Sequence, residues 1–154
     1  MPRKTNGMIP MIELLHSEFT QLSKQFPAAT LPPNCSVLMK GEYVGYESRS
    51  MLTIAFPVLE EYLNPMKTMQ GGIISAAFDN VFGPLSYLAA RTPCTTLDLH
   101  TNYIRSILAG DTLTVTAKVV SRGISAMHLS GEAVNAKGKL IATCTSHMVP
   151  VKIP

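Results

Sequence analysis

The residues best suited to chemistry stand in one stretch: Gln70-Gly71-Gly72 and, eight positions past the first glycine, Asp79. At the start of a helix, Gly71 and Gly72 would expose backbone amides that no side chain shields, and the helix dipole adds partial positive charge there. Such an end can polarise a carbonyl and hold a developing oxyanion. The same pair serves tight packing of a helix on a sheet equally well. Asp79 is the one charged residue between Lys67 and Arg91. Burying a lone carboxylate in so apolar a stretch is costly unless something hydrogen-bonds it or uses it. It is either a buried acid accepting loop amides or a catalytic group.

Spacing limits how the two features can act together. At 1.5 Å per residue, Asp79 lies about 12 Å beyond Gly71 along a helix axis. One chain cannot easily bring both to one reacting carbon. Two antiparallel copies of the helix could, with Asp79 of each facing Gly71 of the other. Joint action therefore predicts a two-fold dimer with two shared sites.

The elements that must position these groups are legible as periodicities. Ile73, Ile74, Ala76, Ala77, Phe78, Val81, Phe82, Leu85, Leu88 and Ala89 make the central helix apolar on nearly every side, which predicts burial in a core or against a partner. Gly83-Pro84 within it should kink it. Earlier, Ile12, Leu15, Phe19, Leu22 and Phe26 form one apolar stripe and predict an N-terminal helix over about 8–26. Residues 36–48 and 50–56 read as strands, the first with a bulge or bend at its glycines, Gly41 and Gly45. After Pro93 the period becomes two: Leu97, Leu99, Thr101 and Tyr103 alternate with Asp98, His100, Asn102 and Ile104, and Leu113, Val115, Ala117 and Val119 with polar partners. Residues 125–134 and 139–151 continue the pattern. Turns at Ala109-Gly110-Asp111, Arg122-Gly123 and Asn135-Ala136-Lys137-Gly138 predict a four-strand antiparallel meander. The fold class is α+β, a curled sheet about one helix, with residues 1–154 as a single domain.

Composition excludes several function classes. The formal charge of +3, with 15% charged residues and no concentrated basic run, gives no support to nucleic-acid binding. The run from Thr68 to Ala90 holds glycines, a proline and Asp79 and does not read as a membrane span. Residues 1–6 lead into an amphipathic stretch and not into a secretory apolar region. Three widely spaced cysteines, Cys35, Cys94 and Cys144, fit a reduced, cytoplasmic setting. His16, His100, His128 and His147 are scattered. Asp98-Leu99-His100 and Cys144-x-x-His147 each offer half a metal site without a partner pair, so structural roles are expected and no metal. No nucleophile elbow, phosphate loop or dinucleotide fingerprint occurs. Arg105, Arg122, Lys137 and Lys139 are solvated charges near turns or contacts for a ligand phosphate. Ile74, Phe78, Phe82, Met66, Met69, Met127 and Met148 either line an aliphatic or aromatic pocket or fill the core.

At Asn64-Pro65, Gln70-Gly71-Gly72 and Asp79 the chain resembles the hotdog-fold acyl-CoA thioesterases of the phenylacetate-pathway (PaaI-like) type. The stretch from Thr95 to Arg105 and the start Gly110-Asp111-x-Leu113 of the next strand are similar to that family as well. The resemblance covers roughly residues 36–150, with the N-terminal helix as an extension. It implies a hotdog fold, about six antiparallel strands around the central helix, dimerised into a continuous sheet and often paired again into a homotetramer. It also implies hydrolysis of an acyl-CoA thioester to acid and free CoA, with no metal and no cofactor beyond the CoA of the substrate. Asp79 would be nucleophile or general base, the Gly71 amide the oxyanion donor, and Asn64 and Thr96 would position water or thioester. Gln70 replaces the family's commoner histidine and could orient substrate through its amide. Gly72, Arg105, Arg122 and Gly123 would contact substrate, although Ser106 replaces the usual proline beside Arg105. Two other readings stay open: a non-catalytic acyl-CoA binder, and an acyl-thioester dehydratase or hydratase, which typically carries a histidine paired with its acid.

Overall fold

The computed structural model describes residues 8–152, so the reading of residues 1–6 lies outside the described residues. The chain runs α1 (Met8–Gln25), α2 (Asn34–Leu38), β1 (Glu42–Glu47), β2 (Met51–Pro57), a 3-10 turn (Glu60–Tyr62), α3 (Gly71–Ala90), β3 (Cys94–Tyr103), β4 (Thr112–Arg122), β5 (Met127–Val134) and β6 (Leu140–Pro150). The six strands form one sheet in the order β1-β2-β4-β5-β6-β3, and every neighbouring pair is antiparallel.

The sheet packs around α3 because its strands alternate. Leu52, Ile54 and Phe56 of β2 and Leu113, Val115 and Ala117 of β4 are fully buried, while their neighbours in the strands are part-exposed or, at Lys118, exposed. They meet Ile74, Ala77, Phe78, Val81, Phe82, Leu85, Leu88 and Ala89 of α3, all buried. Phe78 and Phe82 stack with ring centroids 6.0 Å apart. Burying each such side chain stabilises the fold by roughly 1.5–3 kcal/mol. Gly131 of β5 makes room for this pair, since a Cβ there would lie 3.1 Å from ring atoms of both. Met69, Met127 and Met148 are core residues, whereas Met66 is 81% exposed. By length and mean hydropathy (1.2) α3 could cross a membrane, but here it is the helix the sheet encloses.

The apolar stripe of α1 buries Leu15, Phe19 and Leu22 as its spacing requires, and Phe19 meets Tyr43 of β1 edge-on at 5.7 Å. The bulge expected in β1 falls between Tyr43 and Gly45. Pro84 sits inside α3, which runs unbroken to Ala90 and ends at Arg91 in the left-handed region.

Three expectations need correction. Residues 36–48 are not one strand: their first part is α2, followed by a turn at Lys40 (φ 56°) and Gly41. The run Val37-Leu38-Met39 is too short to carry a period, and Pro33 holds φ −61°, with its carbonyl accepting from the Ser36 and Val37 amides (3.0 and 3.1 Å). Secondly, the meander has three strands, not four. β3 pairs with β6 alone, and residues 104–111 carry the chain across to β4, anchored by buried Ile107. Thirdly, Asp79 is not buried. The strip Gly72, Ser75, Ala76 and Asp79 is left part-exposed or exposed, because the sheet and α1 cover the other sides of α3.

Candidate active site

Asp79 stands two turns into α3, and β3 supplies its partner: Thr96 Oγ1 donates to Asp79 Oδ1 at 2.8 Å. A bulge between Thr96 and Asp98 makes this contact possible. Without it, strict alternation would turn Thr96 to the face of Asp98 and His100; the extra residue at Leu97 re-aims it toward α3. Asp79 Oδ2 has no partner among the described residues. The acid therefore presents one fixed and one free oxygen.

The start of α3 is built by Gln70, whose Oε1 accepts from the Ile73 amide at 3.0 Å as an N-cap, while its backbone carbonyl accepts from Ile73 and Ile74 (3.0 and 3.1 Å). Among the described residues the Gly71 and Gly72 amides have no acceptor. Two donors at the positive end of a 20-residue helix are thus free for an anion or a polarised carbonyl. Packing also needs the pair: a Cβ on Gly71 would lie 3.1 Å from the Tyr103 ring, and one on Gly72 would lie 2.8 Å from Gln70 Oε1.

Asn64 organises the loop before α3. Its Oδ1 accepts from the Met66 and Thr68 amides (2.9 and 3.2 Å) and its Nδ2 donates to Thr68 Oγ1 (2.9 Å). That loop delivers Gln70, whose amide donates to Tyr62 O at 2.8 Å. Asn64 therefore reaches the site through the loop it closes.

Thr96 meets Asp79, and residues 70–72 stand two turns away at the start of the same helix, but Arg105, Arg122 and Gly123 join neither group. Arg105 Nη1 donates to Leu140 O at 2.9 Å. Arg122 Nη1 donates to Ala89 O at 2.8 Å, the carbonyl that also receives Arg49 Nε and Nη2 (3.2 and 2.8 Å). These cations serve the C-terminal end of α3, where the dipole is negative. The Arg49 guanidinium is pushed down by burial first and then by Arg122 and Arg91 beside it. Gly123 closes the β4–β5 turn through its amide to Ala126 O at 2.9 Å.

Two features escaped the sequence reading. Tyr103 OH donates to Gly71 O at 2.8 Å and lies 2.7 Å from Ser75 Oγ, which lies 2.8 Å from Thr101 Oγ1. This chain ties β3 to the first turns of α3. Its signal was the shared parity of Thr101 and Tyr103 on one strand face. The other is a cavity of 240 Å³ beside Asp79, bounded by Leu31, Pro33, Gly83, Tyr87 and Thr96.

The histidines lie elsewhere. His147 Nδ1 is 3.0 Å from Asp98 Oδ2 and its Nε2 is 2.8 Å from His128 Nδ1, on the exposed face of the sheet. A hydrogen bond from the His147 amide, opposed in part by desolvation and helped by the His147 imidazole, holds the Asp98 carboxyl below its usual range. Among the described residues no three His, Cys, Asp or Glu side chains converge as metal ligands. Cys144 is buried and His147 exposed, so they face opposite ways.

A family model described as the thioesterase superfamily matches residues 66–142, which span the end of the Asn64 loop, α3 and the strands from β3 into β6. No curated protein gives a significant match. Among solved structures, the chain is similar to the PaaI protein of the phenylacetic acid degradation operon of E. coli, with a TM-score of 0.77 at 19% identity over 90% of this chain and 96% of that one. A phenylacetic acid degradation-related protein of Ralstonia eutropha JMP134 superposes with a TM-score of 0.71 at 26% identity, covering 84% of this chain and 98% of that one. A Streptococcus mutans UA159 protein solved bound to acetyl-CoA gives 0.70 at 22% identity, over 80% and 93%. With its central helix inside the matched region and its sheet superposing on the PaaI fold, the chain belongs to the thioesterase superfamily as a PaaI-like hotdog protein.

Proposed function

We propose that the protein hydrolyses an acyl-CoA thioester to the free acid and CoA, with Asp79 as the acting carboxylate. The observation that carries this reading is Asp79 itself, held by Thr96 on one oxygen, open on the other, and set beside a cavity. Superfamily membership and the acetyl-CoA bound by the Streptococcus mutans relative support the ligand class.

The carbonyl oxygen of the thioester would lie on the free amide of Gly71, supported by that of Gly72. Hydrogen bonds from such fixed donors strengthen as charge develops on that oxygen. Asp79 either takes a proton from a water that attacks the carbonyl carbon or attacks that carbon itself, forming an anhydride that water then cleaves. In both routes the carbon–sulfur bond breaks, the acyl carbon gains the water oxygen, and the thiolate leaves to take up a proton. Thr96 keeps the acid in place, Gln70 Nε2 contacts substrate, and Asn64 holds the loop at the right height. Arg105 and Arg122 retain unbonded donors for CoA phosphates, with Gly123 beside Arg122.

The amide and the acid of one chain are about 12 Å apart along α3. Asp79 therefore acts with the partner's Gly71 in a dimer whose part-exposed α3 strips face one another. β3 is a sheet edge and exposes Leu97 (61%) and Tyr103 (53%), which suits pairing of two edges into one continuous sheet. Pairing of two such dimers gives the tetramer. Free-thiol release from acyl-CoAs tests the reading: Asp79→Asn should lower kcat by roughly 10²–10⁴, and equal turnover in both proteins removes Asp79 from the mechanism. A monomer in sedimentation at micromolar concentration contradicts the shared site.

A further inference from the structure

Asp79, Gly83 and Tyr87 are spaced by four residues on α3, so they share one face at intervals of about 6 Å. All three line the cavity of 240 Å³, over which Leu31 and Pro33, between α1 and α2, form a roof. Gly83 is the informative member. Elsewhere in this fold glycine answers to crowding, as at Gly131, or to a positive φ, as at Gly110 and Gly138, but Gly83 has no positive φ and a Cβ on it would meet nothing within 4 Å. Its φ does not require glycine, and although the ring of Pro84 favours a residue without a Cβ before it, the side of α3 on which that Cβ would stand is open. What the missing side chain leaves is volume, one helical turn from the acid.

We infer that Gly83 is a specificity-determining residue: it keeps open an acyl pocket that runs from Asp79 toward Tyr87 and admits compact acyl groups of up to roughly eight carbons, chain or ring. The size follows from the volume. A group the size of a water takes about 30 Å³, and a cavity of about 150 Å³ accommodates a benzene ring. Pockets for drug-sized ligands begin near 300 Å³. The cavity of 240 Å³ lies between these, so a long fatty chain would have to leave it. The roof belongs to the segment joining the N-terminal helix to the sheet, so the extension bounds the substrate as well as covering β1.

This inference rests on the thioesterase reading but is tested separately from it. Turnover of a straight-chain acyl-CoA series is measured by free-thiol release, and binding of the matching S-alkyl-CoA thioethers, which cannot be hydrolysed, by calorimetry. For Gly83→Leu, the ratio of kcat/KM for octanoyl-CoA to that for acetyl-CoA should fall at least tenfold, with the same fall in relative thioether affinity. Gly83→Ala should move both in the same direction by less. Tyr87→Ala should move the preferred length upward. Thermal unfolding confirms that each variant is folded. Unchanged length profiles in folded Gly83→Leu and Tyr87→Ala overturn the inference. If the wild type hydrolyses no acyl-CoA, hydrolysis falls while thioether binding still decides the pocket. If no thioether binds either, the pocket falls too.

Discussion

Thr96 Oγ1 lies 2.8 Å from Asp79 Oδ1, although Thr96 is out of step with Leu99, Thr101 and Tyr103, the residues that turn the rest of β3 toward the helix and its first turns. The β-bulge at Leu97 shifts the parity by one, so both sets of side chains reach α3 from the same strand. Asp98, on the opposite face, meets His147 instead. One extra residue thus separates the candidate catalytic face from the exposed Asp98–His147–His128 face.

Removing the Thr96 hydroxyl should therefore cost activity more than stability. A hydrogen bond to a charged group contributes about 1.5–3 kcal/mol, so Thr96→Val should lower kcat/KM by roughly ten- to a hundredfold, while Thr96→Ser keeps most of it. Acyl-CoA turnover checks this, with thermal unfolding as control. Wild-type rates in Thr96→Val would show that Asp79 needs no such partner.

Tyr103→Phe removes the hydroxyl that links Gly71 O to Ser75 Oγ and keeps the ring against Gly71. The expected loss is about 0.5–1.5 kcal/mol of stability, read as a shifted urea midpoint at constant slope. Gly71→Ala is different, because its Cβ would sit 3.1 Å from the ring. It should displace the free amide and lower kcat while KM changes little.

The room that Gly131 leaves for Phe78 and Phe82 can be tested by overfilling it. Gly131→Val should destabilise the fold by about 1–3 kcal/mol. Shortening Phe78 to Leu in the same chain should recover part of that loss, a non-additivity that denaturant titration of the double-mutant cycle would reveal. Strict additivity would mean that the two side chains do not compete for the space.

Alkaline pH should loosen the packing of α1 on the sheet. Burial raises Tyr43 from 10.0 to about 12, with Cys35 adding to it. Burial and then the hydrogen bond to Glu18 raise Tyr46 to about 12. A folded pKa above the unfolded one stabilises fully below the unfolded value and is lost as pH rises through the folded one. Stability should therefore fall between about pH 10 and 12, and tyrosinate absorbance should show Tyr43 and Tyr46 ionising late, with burial raising Tyr62 and Tyr87 as well. Ionisation of every tyrosine near pH 10 would contradict the buried environment.

The apolar helix with its glycine pair and lone acid, the stripe of α1, the strand at 50–56 and the alternation of β4 were all legible in the residues. Each rests on a local period of 3.6 or 2 that needs no knowledge of neighbours. The turns were legible for a similar reason, since Gly110 (φ 84°) and Gly138 (φ 75°) hold conformations that side chains resist. Other features depend on which segments meet. A strand's partner is chosen across the sheet, so nothing within β3 announced that it lies beside β6 at the edge and not beside β4. The bulge that aims Thr96 at Asp79 exists only as a mismatch with β6, and Val37-Leu38-Met39 was too short for its period to separate helix from strand. The cavity beside Asp79 required the segment before α2 to fold back over α3, more than forty residues away in sequence, and local periodicity carries no record of so distant a contact.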